Sequence, residues 1–463
     1  MKKKLLTLLS LLCVAVTTIV GFVACDKSGD DGSSTPAFSE VDYAGQVHLD
    51  ETAETLTMQV SVKAFIDGDT THFNVPSSFT EELDEGYLKA RYLGVNTPES
   101  TGKIEEYGKK ASNFTKEKLK NATSIILETD GSKWEVDSTG NRYLVWVWYL
   151  PAGETEYRNL NIELLQNGLA VGSKAGENRY GETCTNAIYQ ATKLKLNVFS
   201  GQPDPDFYYG SAIELDLKEL RTNVEAYDGL KVAFNAYVSN YYNNGVFVES
   251  YDEATDRFYG IYIYYGTFLN QYGKLVLKTG NYVRIVGTVQ FWETGGTWQV
   301  ADPRYDRFDL NNPENIQLLD KATMPHAEKY PASSAETSVT QYKGSVSMEV
   351  TNVGEDGEET ITNKTFAYAN LAMHTSISMK NLTVNSISTT DNGGKSDGSM
   401  TLSCTVNGIS VNVRTVVLKD ADGNLVTEED LQGKTIDVSG IVDYFMNDYQ
   451  IKVLHYEAIN IHE

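Results

Sequence analysis

The sequence predicts a β-rich α+β protein: a small β-barrel carrying three helices, followed by two further strand-rich barrels. Three observations predict it. The chain has 463 residues, which suggests roughly three domains. Its 37 Gly, 29 Tyr and 10 Pro favour strands and turns over long helices. Helical apolar spacing is concentrated between residues 58 and 202, whereas alternating runs of strand length dominate from residue 211 onward. A hydrophobic content of 41% and a charged content of 22% let most of the chain fold.

The first element is a leader. Met1-Lys2-Lys3-Lys4 is a basic start, and Leu5 to Val23 is an almost uncharged apolar run, the pattern of a secretory signal. A permanent membrane anchor is the alternative that this length allows. The ending Phe22-Val23-Ala24-Cys25 decides for export, because it resembles the lipobox of bacterial lipoproteins, in which Cys25 becomes the lipidated mature N-terminus. Residues 1–25 are therefore expected to be a lipoprotein signal peptide. Residues 26–57, rich in Gly, Ser, Asp and Thr, are expected to be a flexible linker. No later segment is apolar and long enough to span a membrane. Of the remaining cysteines, Cys184 and Cys404 are far apart and lack His or Cys neighbours at metal spacing. Two buried thiols are expected, although a disulfide is open in an oxidising compartment.

The block 58–202 is mixed. Met58 to Ile66, Tyr87 to Val95 and Tyr143 to Leu150 read as strands. Tyr107 to Ala122, Leu160 to Ala170 and Glu182 to Leu196 read as helices, with Ala111, Phe114 and Leu119 on one side of the first. Gly168 falls near the end of the second, and Cys184, Ala187, Ile188 and Ala191 line the third.

The turn Gly201-Gln202-Pro203-Asp204-Pro205 marks a boundary. The blocks 211–322 and 333–463 follow, the latter irregular before residue 380. In the former the predicted strands are Leu230 to Val238, Gly245 to Glu249, Gly260 to Tyr265, Tyr282 to Trp292 and Thr297 to Ala301. In the latter they are Leu382 to Ser388, Met400 to Val406, Ile409 to Leu418, Thr435 to Phe445 and Tyr449 to Leu454. The two blocks share a repeat: the run from Gly280 through Gly287 to Trp292 aligns with that from Gly433 through Gly440 to Phe445. An aromatic-Gln-aliphatic strand follows each, at Trp298-Gln299-Val300 and Tyr449-Gln450-Ile451. A glycine inside a strand suits a sharp bend in a small closed barrel. Five strands per block with this signature resemble OB-folds.

The chemistry-bearing residues lie in the first block. Hydrolysis of a phosphodiester develops negative charge on the nonbridging oxygens and needs an activated water. A hard cation answers the first need and prefers oxygen ligands. Asp69 offers a carboxylate, Asn96 an amide oxygen and Thr97 its backbone carbonyl; Pro98 then fixes the chain. Glu99 stands next to these, able to orient or deprotonate water. Arg91 and Arg142 can each bond a phosphate bidentately. Singly these signals are bland: Asp-Gly-Asp-Thr is most often a turn, Asn-Thr-Pro-Glu a helix or loop start, and a lone Arg contacts solvent. Their joint presence in one block points to a nuclease. His72 is read as an exposed strand side chain. The net charge of −24 argues against a protein that grips nucleic acid tightly by electrostatics alone.

Residues 58–202 resemble the thermonuclease (staphylococcal nuclease) family. The likeness is carried by Ile66-Asp67-Gly68-Asp69-Thr70, Arg91-Tyr92-Leu93-Gly94-Val95-Asn96-Thr97-Pro98-Glu99, Tyr107 to Ser112, Gly140-Asn141-Arg142, Asn161 with Gly168-Leu169-Ala170, and Leu196 to Ser200. It implies an OB-type barrel with three helices that cleaves DNA and RNA with calcium (Ca2+) and leaves 3′-phosphate ends. It further implies Asp69, Asn96 and the Thr97 carbonyl as calcium ligands, Glu99 as general base, and Arg91 and Arg142 on the phosphate. The chain departs from the family in three places. Asn96 stands where the family carries a metal-binding Asp, which should weaken calcium binding. Gly140-Asn141-Arg142 has one residue more than the usual Gly-Arg pair. The stretch between Thr70 and Arg91 is longer, including the acidic run from Phe79 to Glu85.

The resulting expectation is a surface-anchored, calcium-dependent nuclease acting on DNA or RNA, a monomer held to the membrane by its lipid, with no protein partner inferred. A catalytically impaired nuclease-fold lipoprotein that only binds nucleic acid or a surface partner is the alternative, since Asn96 could disable the metal site. Tyr241, Tyr242, Tyr262, Tyr264, Trp292 and Trp298 are candidates for base stacking in the OB-like blocks. Barrel core and cross-strand pairing are the plainer account of the same residues.

Overall fold

A computed structural model describes residues 40–462 apart from 51, 82, 84, 85, 140, 354–358, 392, 393, 395 and 446. The expected signal peptide, Cys25, the start of the linker and Gly140 lie outside the described residues. The predicted β-rich α+β architecture is the one adopted, with three closed five-stranded barrels and, among the described residues, eight α-helices. No helix among these residues is long and apolar enough to cross a membrane.

The first barrel uses β1 (Thr57–Asp67), β2 (Thr70–Asn74), β3 (Leu88–Tyr92), β5 (Ala122–Glu128) and β6 (Tyr143–Pro151); a short β4 (Gly94–Asn96) pairs outside it with β8 (Val171–Ser173). β7 (Arg158–Asn159) extends the sheet beyond β6. The long β1 is irregular at Val62/Ala64 and Phe65/Asp67, and these breaks let one strand pair with β5 at its start and β2 at its end. Parallel pairing of β3 with β6 closes the ring. The run from Tyr143 to Tyr149 alternates poorly because β6 is buried on both faces. Trp146 and Trp148 meet the Tyr180 ring edge-on and donate to Asp130 and Glu128.

Three helices pack on this barrel: α1 (Gly108–Lys120), α2 (Leu160–Gln166) and α3 (Gly181–Lys193). α1 buries Gly108, Ala111, Thr115 and Leu119, while Lys118 and Lys120 complement its C-terminal dipole. Phe114, expected on the buried face, is only partly buried; Thr115 takes its place and donates to the Gly68 carbonyl at 2.5 Å. The Asn159 side chain caps α2 by accepting from Ile162 N–H at 3.1 Å. Asn161 ties β6 to the end of β3, accepting from Val147 N–H at 2.9 Å and donating to the Leu93 carbonyl at 2.9 Å. Cys184, Ala187 and Ala191 form the buried face of α3. Cys184 and Cys404 are both buried free thiols, so the disulfide left open above is not formed.

The second barrel follows β9 (Ile213–Glu214) and α4 (Leu217–Thr222). It consists of β10 (Lys231–Tyr242), β11 (Gly245–Asp252), β12 (Arg257–Tyr264), β13 (Tyr282–Trp292) and β14 (Thr297–Ala301), with α5 (Gln271–Val276) between β12 and β13. β15 (Gln317–Leu318) pairs along its edge with β13. After α6 (Val339–Tyr342) come a two-stranded hairpin, β16 (Ser345–Val353) and β17 (Glu359–Ala367), and then α7 (Tyr368–Leu371). Its strands are why the third block is irregular before residue 380.

The third barrel comprises β18 (Ser376–Thr389), β19 (Met400–Val406), β20 (Ile409–Thr415), β21 (Thr435–Phe445) and β22 (Asp448–Val453), with α8 (Glu428–Leu431) between β20 and β21. β23 (Ile459–Ile461) pairs with β21. In all three barrels the first strand pairs with the second and the fourth, the second with the third, and the third runs parallel to the fifth. This is OB connectivity, with a helix before the fourth strand each time.

The repeat noted in the sequence is the fourth strand and its partner. A Cβ on Gly287 would stand 2.6 Å from the Ala301 carbonyl oxygen, and one on Gly440 would stand 2.5 Å from that of Lys452. At both places the fifth strand crosses too closely for any side chain. Three residues on, Gln290 bonds Gln299 and Asp443 bonds Gln450, each at 3.2 Å.

Candidate active site

Strand register builds the site. Thr70 on β2 faces Arg91 on β3, and Tyr92 N–H donates to the Asp69 carbonyl at 2.9 Å. Asp69, in the turn between β1 and β2, therefore lies beside Arg91, and the Arg91 Nη1 pairs with its Oδ1. Arg91 Nη2 donates to Asn96 Oδ1 at 2.5 Å. Asn96 is aimed there by the pairing of β4 with β8, where it faces Val171. Thr97 N–H donates to the other Asp69 oxygen at 2.8 Å, and Thr70 Oγ1 donates to Oδ1 at 3.1 Å. Asp69 is 1% exposed. Gly68 is required at this turn: a Cβ there would stand 2.8 Å from Thr97 Cγ2 and 2.9 Å from Ala111 Cβ.

The loop after Thr97 carries Glu99 and closes on itself. Glu99 N–H donates to Glu105 Oε2 at 3.1 Å, and Glu105 N–H returns to the Glu99 carbonyl at 2.9 Å. α1 is equally close, since a Cβ on Gly108 would stand 2.2 Å from the Glu99 carbonyl oxygen. Burial, reinforced by the charges of Asp67 and Asp69 and opposed by Arg91, pushes the Glu99 carboxyl up to about 7. Asp67, to which the sequence assigns no role, holds this loop. It accepts from Ser100 N–H at 3.1 Å, Ser100 Oγ at 2.7 Å and Thr101 Oγ1 at 3.2 Å. Burial raises the Asp67 pKa against these bonds. Its acidic neighbour in Asp67-Gly68-Asp69 was the one available signal.

Five of the six residues proposed for the site thus come together: Asp69, Arg91, Asn96 and Thr97 through direct bonds, and Glu99 through its proximity to their charges. Arg142 is engaged elsewhere. It precedes β6 and donates through Nε to Asp137 Oδ2 at 2.6 Å, within its own turn. Its partner strand β3 nevertheless carries Arg91, which faces Leu144. His72, on β2, is half-buried rather than exposed, its ring 5.0 Å from that of Tyr87.

The donor set fits a hard cation. Asp69 brings a carboxylate, Asn96 an exposed amide oxygen and Thr97 a backbone carbonyl, all oxygen donors of the kind calcium takes. The buried Thr97 Oγ1 has no hydrogen-bond partner, a further oxygen at this place with nothing to satisfy it. Among the described residues no group of three or more His, Cys, Asp or Glu side chains is placed to hold a metal, so a cation here depends on mixed oxygen donors. A groove of about 500 Å³ beside β1 and the Glu293–Thr294 turn includes none of these residues in its lining.

A closed five-stranded barrel with an acidic and guanidinium cluster at its β1–β2 turn is the form of a phosphodiester-cleaving domain. Residues 89–200 match the family described as staphylococcal nuclease homologue. The chain is similar to a thermonuclease of Staphylococcus hyicus, 36% identical over 139 residues, which are 29% of this chain and 72% of that protein. It is also similar to a thermonuclease of Staphylococcus intermedius, 33% identical over 142 residues, 30% of this chain and 74% of that one. The chain belongs to the thermonuclease family. At the family level it is a nuclease, a hydrolase whose substrate is nucleic acid.

Proposed function

We propose that this protein is a calcium-dependent nuclease of DNA and/or RNA that leaves 3′-phosphate ends and is anchored at the cell surface through a lipid on Cys25. The observation that carries the reading is the convergence of Asp69, Arg91, Asn96 and Thr97 beside Glu99. Asp69, Asn96 and the Thr97 carbonyl would hold calcium. Calcium bound there would stabilise the charge that develops on the nonbridging phosphate oxygens. Arg91 now donates to two of those ligand oxygens; released from them, its guanidinium can take the phosphate bidentately. Arg142 would join it by leaving Asp137. Glu99, its proton affinity raised by burial, would take a proton from the attacking water near neutral pH. The loop bonds from Ser100 and Thr101 to Asp67 keep Glu99 beside the cluster. The signal peptide (1–25), linker (26–57, whose Asp42, Ala44 and Thr55 pack or bond against the first barrel), nuclease domain (58–202) and two OB-like domains (211–322 and 333–463) are proposed as the working parts of a monomer.

The test is incubation of the purified protein with plasmid DNA and with RNA, in millimolar calcium and in chelator. Calcium-dependent cleavage of either substrate is expected. Unchanged substrate at millimolar calcium would reject the enzyme reading in favour of a nucleic-acid-binding module. Replacement of Cys25 by Ala should release the protein from the membrane fraction, and retention there would reject the anchor.

A further inference from the structure

The second barrel reaches the loop that follows Glu99. Gln290 on β13 donates through Nε2 to the Ser100 backbone carbonyl. Gln299 on β14 steadies it, donating to Gln290 Oε1 at 3.2 Å. Ser100 follows Glu99 directly and itself holds Asp67. The turn between β12 and α5 meets the same loop. A Cβ on Gly102 would stand 3.1 Å from Phe268 Cε2 and 3.3 Å from Tyr264 Cε1. The two rings flank Gly266, whose added Cβ would lie 3.4 Å from the Tyr264 hydroxyl and 3.5 Å from Phe268 Cδ2. The Asp67 and Glu99 carboxylates are near enough to act on Tyr264, adding to burial in raising its hydroxyl pKa.

Phe268 is 53% exposed, yet its turn is tightly held. Tyr265 N–H and Gly266 N–H both donate to the Asn244 carbonyl, at 3.0 and 3.1 Å. Leu269 is buried, and the Asn270 side chain caps α5 through Tyr272 N–H and Gly273 N–H. A fixed turn that presents a phenyl ring to solvent beside a catalytic loop is a ready stacking surface. Every base has a π-face, so such a surface binds single strands without reading sequence. It also suits a chain whose charge of −24 denies it a broad electrostatic grip.

We propose that Phe268, backed by Tyr264, stacks a nucleobase flanking the scissile phosphate, so that the second barrel forms one wall of the substrate cleft. The ligand class is single-stranded nucleic acid. The proposal rests on the placement of cleavage at Asp69, Arg91 and Glu99 given above.

The test measures anisotropy of a labelled single-stranded oligonucleotide binding to the full chain carrying Glu99→Gln, which slows turnover. Adding Phe268→Ala should weaken binding roughly five- to hundredfold, and Phe268→Tyr should restore it. In a series with one abasic nucleotide stepped along the strand, one position should lose the same factor against Phe268 and nothing further against Phe268→Ala. Circular dichroism and thermal melting check that the variants fold. The proposal is overturned if Phe268→Ala binds every oligonucleotide as tightly as its parent, or weakens intact and abasic strands alike. Wild-type cleavage in calcium is scored separately. Its absence together with a position-specific Phe268 effect would remove the nuclease reading and keep the stacking surface.

Discussion

Thr97 N–H donates to the Asp69 carboxylate at 2.8 Å, joining the turn after β1 to the loop after β4. Two segments remote in sequence therefore share one carboxylate, and Asn96, Pro98 and Glu99 take their places from that bond.

Gly108 is the point at which α1 sets the position of Glu99. A methyl group there would stand 2.2 Å from the Glu99 carbonyl oxygen and 3.2 Å from that of Pro98, so the loop must move. Misplacement of a reacting group by about 1 Å can cost about a hundredfold in rate. Gly108→Ala should lower cleavage on that scale with circular dichroism unchanged. An unaltered rate in a folded variant would show that the Glu99 loop position does not matter.

Asn96→Asp restores a charge beside Asp69. Ligand charge count tunes calcium affinity, and one more carboxylate should lower the calcium needed for half-maximal cleavage by roughly tenfold. A calcium titration of wild type and variant measures this. An equal calcium requirement would remove Asn96 from the ligand set.

Glu249, on β11, lies between the second and third barrels. It is fully buried and accepts from Ala332 N–H at 2.8 Å, Ser376 N–H at 2.7 Å and Ser376 Oγ at 3.1 Å. Burial outweighs these donors and raises its pKa from 4.5 to about 7. The folded protein thus holds this proton more tightly than the unfolded chain. Its contribution is complete below pH 4.5 and is lost as pH rises through about 7, a change on the order of 3 kcal/mol. Glu249→Gln keeps an uncharged side chain there at every pH. Calorimetry from pH 5 to pH 8 should show wild-type Tm falling relative to the variant. Parallel curves would contradict the assignment.

Much of the fold is legible in the sequence for physical reasons. Tyr282–Trp292, Thr297–Ala301, Met400–Val406 and Thr435–Phe445 match their predicted bounds: Met400–Val406 and the start of Thr435–Phe445 alternate between core and a more exposed face, while Tyr282–Trp292 and Thr297–Ala301 are mainly buried runs rich in β-branched and aromatic residues. β5 is not legible because only Asn121 separates it from α1 and its pattern is only half buried. The hairpin at 345–367 is mainly polar: its apolar alternation is confined to Val346, Met348 and Val350, and the second strand is rich in Thr, Asn and Lys. At the site, Asp69, Arg91, Asn96, Thr97 and Glu99 were legible because their chemistry is unusual in combination. Arg142 was legible as a residue type but not in its pairing with Asp137. The approach of Gln290 and Phe268 to the Ser100–Gly102 loop left no local signal, since Gln290 meets a backbone carbonyl 190 residues away and Phe268 meets a glycine equally remote from any local pattern.

The central claim is that Glu99 is the base of a calcium-dependent nuclease. Its most direct measurement compares plasmid cleavage by wild type and Glu99→Gln at millimolar calcium, with the melting temperature of each recorded. The claim predicts a rate roughly 10²–10⁴-fold lower in the variant at an undiminished melting temperature. Equal rates in the two proteins would contradict it.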